Sequence, residues 1–307
     1  MKRAIVTGAN GFIGSALVKE LLNHNIEVLA IVRNNHKDAL PESNFLKIIS
    51  LELDQISELK NKVDEGYYDI FYHIGWSGSA GSSRADEVLQ LKNVFWTIES
   101  LKTAKQIGCK RFVCAGSIME KEVMALIYTQ GNKPNITNIY GACKMTAHCL
   151  AKPIANDLNI DFIWAVITNA YGEGELSPRF INTTIRKILN KETLQFTSAM
   201  QNYDFVHISD VARAFYCIGD KGKANYEYVI GSSQARPLKE FIIEMISTLA
   251  PTSDLLFGNI PYSGINLPLS TFDTADTEKD TGFKALISFS EGIKRTMDWL
   301  IKKDSDL

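Results

Sequence analysis

Tyr140 and Lys144 stand four residues apart in Tyr-Gly-Ala-Cys-Lys, a spacing that brings a phenol and an ammonium to one face of a helix. A phenol ionises near pH 10 and carries protons poorly at neutral pH, whereas a neighbouring cation favours the phenolate and brings it into range. The pair suits proton exchange with a carbinol oxygen. Such a spacing arises roughly once by chance in a chain of this composition. Context gives it weight: it is the only Tyr-x-x-x-Lys present, and it follows an apolar run ending Ala115-Gly116-Ser117. Ser117, at the end of that run, is placed to hydrogen-bond the same substrate oxygen. Asn93, a polar residue within an apolar helical stripe, is a fourth candidate.

Proton exchange at a carbinol needs a hydride partner, and Thr7-Gly8-Ala9-Asn10-Gly11-Phe12-Ile13-Gly14 is suited to hold one. Gly8 permits a tight turn, Gly11 lets backbone approach a pyrophosphate, and Gly14 allows close helix contact, with the helix N-terminus favouring the anion. Asn10, Phe12 and Ile13 complete the expected cofactor-binding turn. A carboxylate about 20 residues further on would favour NAD by holding the ribose 2′-hydroxyl, and an Arg there accommodates a 2′-phosphate. The second strand ends Ile31-Val32-Arg33-Asn34-Asn35 without a carboxylate, so NADP(H) is expected in preference to NAD(H). Lys37 is a further candidate for the phosphate, and Asp54 for the adenine amino group.

The elements that must position these residues are legible as periodicity. Apolar, β-branched runs at residues 3–7, 27–32, 46–50, 69–74 and 111–115 alternate with helical stretches, which predicts an α/β, Rossmann-type doubly wound parallel sheet. Residues 85–107 carry Val88, Leu91, Val94, Phe95, Ile98 and Leu101 at helical spacing. A second helix is expected over 138–158 and a sixth strand over 160–167. Beyond Thr168 the rhythm loosens into Gly- and Pro-bearing loops. A dinucleotide-binding domain over 1–167 is therefore expected, with 204–231 returning to its sheet, and a smaller C-terminal substrate-binding cap from 168–203 and 232–307.

Composition excludes other classes. Thirty-three Lys and Arg against 35 Asp and Glu give a net charge of −2, so no nucleic-acid or anionic-membrane partner is expected. The longest apolar runs fall far short of the roughly 18 residues of a membrane helix, and the run after Lys2 and Arg3 is broken too early for an export signal. Cys109, Cys114, Cys143, Cys149 and Cys217 form no disulfide framework, which suits a reducing cytoplasm. Cys143, His148 and Cys149 do not fall on one helical face, so no metal is expected. His73 and His207 read as structural. Trp76 opens a Gly- and Ser-rich loop and is a candidate substrate contact.

The residues together resemble the extended short-chain dehydrogenase/reductase family, also called the NAD-dependent epimerase/dehydratase family of nucleotide-sugar enzymes. The resemblance is carried by residues 7–14, Asn93, Ser117, Tyr140 to Lys144, Asn169-Ala-Tyr-Gly172 and Asp204 to Arg213. It implies a nucleotide-sugar substrate, Asn169 as a substrate contact, Asn93 and the Tyr140–Lys144 pair against the cofactor, and a homodimer through helices 85–107 and 138–158. Ile118 and Met119 replace the Asp-Glu pair of the family's 4,6-dehydratases, and neither can move a proton. Tyr203 and Val166 stand where sugar-diphosphate binders usually carry Arg, leaving Arg179 and Arg236 as substitutes. Residues 257–262 resemble the tail of CDP-abequose-synthase-like 4-ketoreductases. The expectation is a reductase of the 4-keto group of a nucleotide-linked deoxyhexose. The alternatives are a nucleotide-sugar 4-epimerase, a reductase of a non-nucleotide carbonyl, and a dinucleotide sensor without turnover, against which the presence of Ser117, Tyr140 and Lys144 together counts.

Overall fold

The computed structural model describes residues 1–33, 40–261 and 264–305; Lys37 and Tyr262 lie outside the described residues. In chain order the strands and helices are β1 (Arg3–Thr7), α1 (Phe12–Asn23), β2 (Glu27–Val32), β3 (Leu46–Ser50), β4 (Ile70–His73), α2 (Glu87–Ile107), β5 (Arg111–Ser117), α3 (Met119–Tyr128), α4 (Asn138–Asp157) and β6 (Asp161–Ile167). There follow β7 (Asn169–Tyr171), α5 (Phe180–Leu189), β8 (Leu194–Phe196), β9 (Asn202–Tyr203), β10 (Phe205–His207), α6 (Ile208–Lys221), β11 (Tyr226–Ile230), β12 (Arg236–Pro237), α7 (Leu238–Leu249), β13 (Leu255–Phe257), α8 (Ala275–Thr281) and α9 (Phe289–Ser305).

Seven parallel strands form the main sheet in the order β11-β6-β5-β4-β1-β2-β3. The chain first builds outward from β1 through β2 to β3 and then returns to place β4 on the other side of β1. That reversal opens a crevice beyond the carboxyl ends of β1 and β4, the place where such sheets bind ligands. Thr7 is paired with Ile31 on one side and His73 on the other. Ala4 and Val6 face one core with α1 and α6, while Ile5 faces a second with α2 and α4. Burial on both faces explains why these strands read as continuous apolar runs.

Helix α2 starts where Asp86 accepts the Leu89 N–H at 2.9 Å and stops at Gly108, which adopts φ +87°. A third core gathers β7, β8 and β10 with α5, α7 and α9 around Phe205, Phe241 and Phe289. Two features differ from the sequence reading, one of them through long-range pairing. Residues 205–207 pair with β7 rather than joining the main sheet, to which only β11 returns. Strand β5 ends at Ser117, as the sequence reading places it, and residues 119–128 form a helix that periodicity left unassigned. Among the described residues no helix is long and apolar enough to cross a membrane.

Candidate active site

The glycine turn has the geometry that its sequence requires. Gly8 adopts φ +63°, and a Cβ there would lie 2.7 Å from the Gly75 Cα. A Cβ on Gly14 would lie 2.1 Å from the Gly8 carbonyl oxygen, so α1 meets the turn at a distance only glycine permits. Helix α1 has neither a side-chain cap nor an acidic residue in its first turn, leaving its N–H groups and dipole to an anion. A cavity of about 290 Å³ opens here, lined by Gly8, Asn10, Gly11, Phe12, Ile13, Gly14, Arg33 and Trp76 among others. These features fit a dinucleotide pyrophosphate. Arg33 is exposed at the rim. Asp54 is not at this cavity: it is exposed, and Leu51 and Leu53 line the wall instead.

His73, at the end of β4, is buried behind the turn. Thr7 Oγ1 accepts the Gly75 N–H and lies 3.1 Å from His73 Nδ1. Thr97 Oγ1 donates to the Asn93 carbonyl and therefore accepts from His73 Nε2 at 3.2 Å. The imidazole is thus the neutral Nε2–H form, and burial, with the Lys144 charge adding, holds its pKa down at about 3.

Loop 75–85, which follows, is tied down from beneath by two buried residues of α2. Asn93 Oδ1 accepts the Ser77 N–H at 2.8 Å, while its amide nitrogen donates to the Ser77 and Leu89 carbonyls. Asn93 therefore anchors this loop and, like Tyr140 and Lys144, is not among the residues that line the first cavity. Gln90 accepts the Trp76 indole N–H at 2.8 Å and donates to the Gly78 and Ser83 carbonyls.

Tyr140 and Lys144 share the buried face of α4, as the i, i+4 spacing requires. Lys144 Nζ donates to the Ala115 carbonyl at 2.6 Å and sits 3.9 Å over the Trp76 ring. Trp76 meets Tyr140 edge-on at 6.0 Å. Ser117 Oγ accepts the Met119 N–H at 3.3 Å, which leaves its own proton free to donate. Ser117 opens into a second cavity of about 260 Å³ whose wall includes Arg84, Glu122, Asn169, Arg179 and Tyr203. Arg179 and Glu175 line both cavities, which therefore adjoin. Trp76 lines the first cavity and not the second. Arg236 reaches neither: Glu244 pairs with it, and Phe241 lies under its guanidinium at 4.1 Å.

Two of these residues escaped the sequence reading. The Arg84 guanidinium lies 4.9 Å from the Tyr140 ring centre, held by a 2.8 Å bond from Nε to the Ser79 carbonyl. The Glu122 carboxyl, on α3, is pushed up to about 6 by burial against the opposing pull of Arg84. Recognising helix 119–128 would have flagged Glu122, since it falls on the first turn after Ser117.

A parallel sheet with a glycine turn at its reversal point and a Tyr–Lys pair beside it defines a dinucleotide-dependent oxidoreductase. The chain belongs to the NAD dependent epimerase/dehydratase family, whose pattern matches residues 4–231, and is an enzyme of the extended short-chain dehydrogenase/reductase type. It is 27% identical over 255 residues to the dTDP-4-dehydro-6-deoxyglucose reductase of Escherichia coli, covering 78% of this chain and 79% of that one. It is 25% identical over 308 residues to the CDP-abequose synthase of Salmonella typhimurium strain LT2, covering 95% and 96%. The solved structure of MoeE5 with UDP-glucuronic acid and NAD is 25% identical, with a TM-score of 0.77 over 98% of this chain and 99% of that one.

The expected preference for NADP(H) is overturned by these structures. MoeE5 holds NAD, and the Bordetella bronchiseptica enzyme WbmF, 19% identical with a TM-score of 0.81 over 99% and 93% of the two chains, holds NADH. The physical reason lies in Arg33. An exposed guanidinium at a cavity rim can lie over an adenine face as readily as it neutralises a phosphate, so its presence did not discriminate.

Proposed function

We propose that the protein uses NADH to reduce the 4-keto group of a nucleotide-linked 6-deoxyhexose. The observation that carries this reading is that Ser117 lines the second cavity, while the Tyr140–Lys144 pair packs against Trp76 of the first cavity and Tyr140 against Arg84 of the second. Similarity to a dTDP-4-dehydro-6-deoxyglucose reductase and to a CDP-abequose synthase over most of each chain supports the direction. The apolar pair Ile118 and Met119 at the second cavity supports reduction over dehydration, because neither can carry a proton.

NADH, when bound, supplies the hydride. Ser117 donates a hydrogen bond to the carbonyl oxygen and polarises it while keeping its proton. Tyr140 delivers the proton that the reduced oxygen needs, and the Lys144 ammonium favours the phenolate left behind. Arg84 and Arg179 supply positive charge at the second cavity, where Tyr203 stands in place of one of the arginines usual in the family. Arg84 lies beside Tyr140 and serves the sugar end, and Arg179, shared by both cavities, serves the diphosphate. Asn169 and Tyr203 line the same wall.

The assembly we propose is a homodimer through α2 and α4. Val88, Leu91 and Phe95 are exposed along one edge of α2, and Leu150 is exposed on α4, more apolar surface than these helices need to cover one sheet face. The described cysteines are free, which supports a reducing, cytoplasmic setting. A dinucleotide-binding unit over 1–167 with 204–231, capped by the rest, is the division we adopt.

The test is nicotinamide absorbance with NADH and a panel of enzymatically generated nucleotide 4-keto-6-deoxy sugars, with products identified afterwards. One mole of NADH oxidised per mole of 4-hydroxy sugar supports the reading. Interconversion of sugar epimers without net oxidation would replace it with a 4-epimerase. Oxidation only with non-nucleotide carbonyls would remove the nucleotide from the substrate. Dinucleotide binding with no turnover on any carbonyl would leave a sensor.

A further inference from the structure

We propose that Glu120 is a positioning residue that sets Ser117 in register with the Tyr140 helix; the proposal rests on the reading that Ser117 acts on the carbonyl. Ser117 ends β5 and Tyr140 belongs to α4, so their relative placement must be fixed by something that touches both elements. Glu120 is 3% exposed, on the first turn of α3. Its Oε1 accepts the backbone N–H of Ser117 at 2.7 Å, and both carboxyl oxygens accept the Trp164 indole N–H, at 3.2 and 3.0 Å.

Trp164 is fully buried on β6 and paired with Cys114 of β5. On its other face His148 of α4 stacks at 4.5 Å with the rings 6° from parallel. His148 lies one turn beyond Lys144, and its Nδ1 is 3.8 Å from Glu120 Oε2 and 3.7 Å from Glu227 Oε2. Glu227 is in turn bonded by Lys121 at 2.6 Å. The Glu120 carboxyl therefore bonds the backbone of Ser117 and the Trp164 indole of the neighbouring strand, and Trp164 in turn stacks on His148 of the helix that carries Tyr140, so one junction runs from Ser117 to α4.

Gly116 shows how closely this junction is built. A Cβ there would lie 2.3 Å from the Trp164 indole nitrogen and 3.0 Å from Glu120 Oε1. With its N–H held by Glu120 and its Oγ by the Met119 N–H, Ser117 is restrained at both backbone and side chain. The hydroxyl then meets the substrate oxygen without searching, a placement worth most in the transition state.

The test is a double-mutant comparison on the full chain, measuring single-turnover NADH oxidation with the keto sugar and NADH affinity alongside. Glu120→Leu is expected to lower the rate at least about tenfold while changing NADH affinity less than about twofold. Glu120→Gln, whose amide oxygen can still accept the Ser117 N–H, is expected to keep the rate within about threefold. In a Ser117→Ala background Glu120→Leu should cost nothing further, because a residue that acts through Ser117 has nothing left to position. The same fractional loss in both backgrounds, or an unchanged rate in the single variant, overturns the proposal. If Glu120→Leu does not fold, Glu120→Asp, which withdraws the carboxyl by one methylene, replaces it in the same comparison. Full activity of Ser117→Ala, or no wild-type turnover, is instead the failure of the underlying reading, and the proposal falls with it.

Discussion

His73 makes the stability of the fold fall with acid by an amount that can be worked out. Its Nε2–H form is dictated by Thr97, whose one hydroxyl proton goes to the Asn93 carbonyl, and burial keeps the ring neutral, with Nδ1 left to accept from Thr7. Burial, with the Lys144 charge adding, opposes a second ring proton, so the native state resists protonation until about pH 3, against 6.5 for an unperturbed imidazole. Between those values the unfolded chain binds a proton that the native chain refuses. The stability from keeping His73 neutral is therefore fully present above pH 6.5 and lost progressively as pH falls. At pH 5 the loss is about 2 kcal/mol, being roughly 1.4 kcal/mol for each unit below 6.5.

The perturbation is His73→Gln, which replaces the ring with a group that does not titrate. Its absolute stability will drop, because the two threonine bonds are disturbed. The readout is instead the difference in unfolding free energy between pH 7 and pH 5, from urea titrations monitored by tryptophan fluorescence and far-UV circular dichroism. The variant should show a difference smaller than the wild type's by about 2 kcal/mol. Identical pH dependence in the two proteins would refute the reasoning, as would nitrogen chemical shifts showing a doubly protonated His73 ring at pH 5.

Three other outcomes are expected. Gly14→Ala should weaken NADH binding at least about 100-fold in a fluorescence titration, because the new methyl group must force helix and turn apart. Phe95→Glu should convert a sedimenting dimer to a monomer while leaving NADH affinity within about twofold; a wild-type monomer would contradict the proposed interface. Glu122 lines the second cavity and burial pushes its carboxyl up to about 6, so a sugar seated there is expected to lose a charged acceptor, and its KM to rise, as pH falls through 6. Glu122→Gln should remove that inflection in initial-rate measurements.

What could be read from the sequence was what local periodicity and fixed spacing encode. The glycine turn between β1 and α1 was legible because Gly8, Gly11 and Gly14 answer to contacts within a few residues or with the adjacent strand. Tyr140 and Lys144 were legible because helical spacing alone places them together. Arg84 and Glu122 were not, since Arg84 reaches Tyr140 only after loop 75–85 is tied to Gln90 and Asn93 of a following helix. The same tie explains why Asn93 anchors the loop. Pairing of residues 205–207 with β7 is a contact across 36 residues in register, which alternation in either segment does not reveal. Arg33 misled on the cofactor because a guanidinium at a rim serves adenine or phosphate alike.

Hydride transfer to a nucleotide-linked 4-keto sugar is the central claim, and deuterium transfer tests it most directly. NADH carrying deuterium at C4 of the nicotinamide, on the face found to be transferred, is incubated with the enzyme and the keto sugar, and the product is examined by mass spectrometry and proton NMR. The account predicts one deuterium at sugar C4 from the wild-type enzyme, and no labelled product from Tyr140→Phe although NADH still binds. Unlabelled 4-hydroxy product, or equal labelling by the Tyr140→Phe variant, would contradict it.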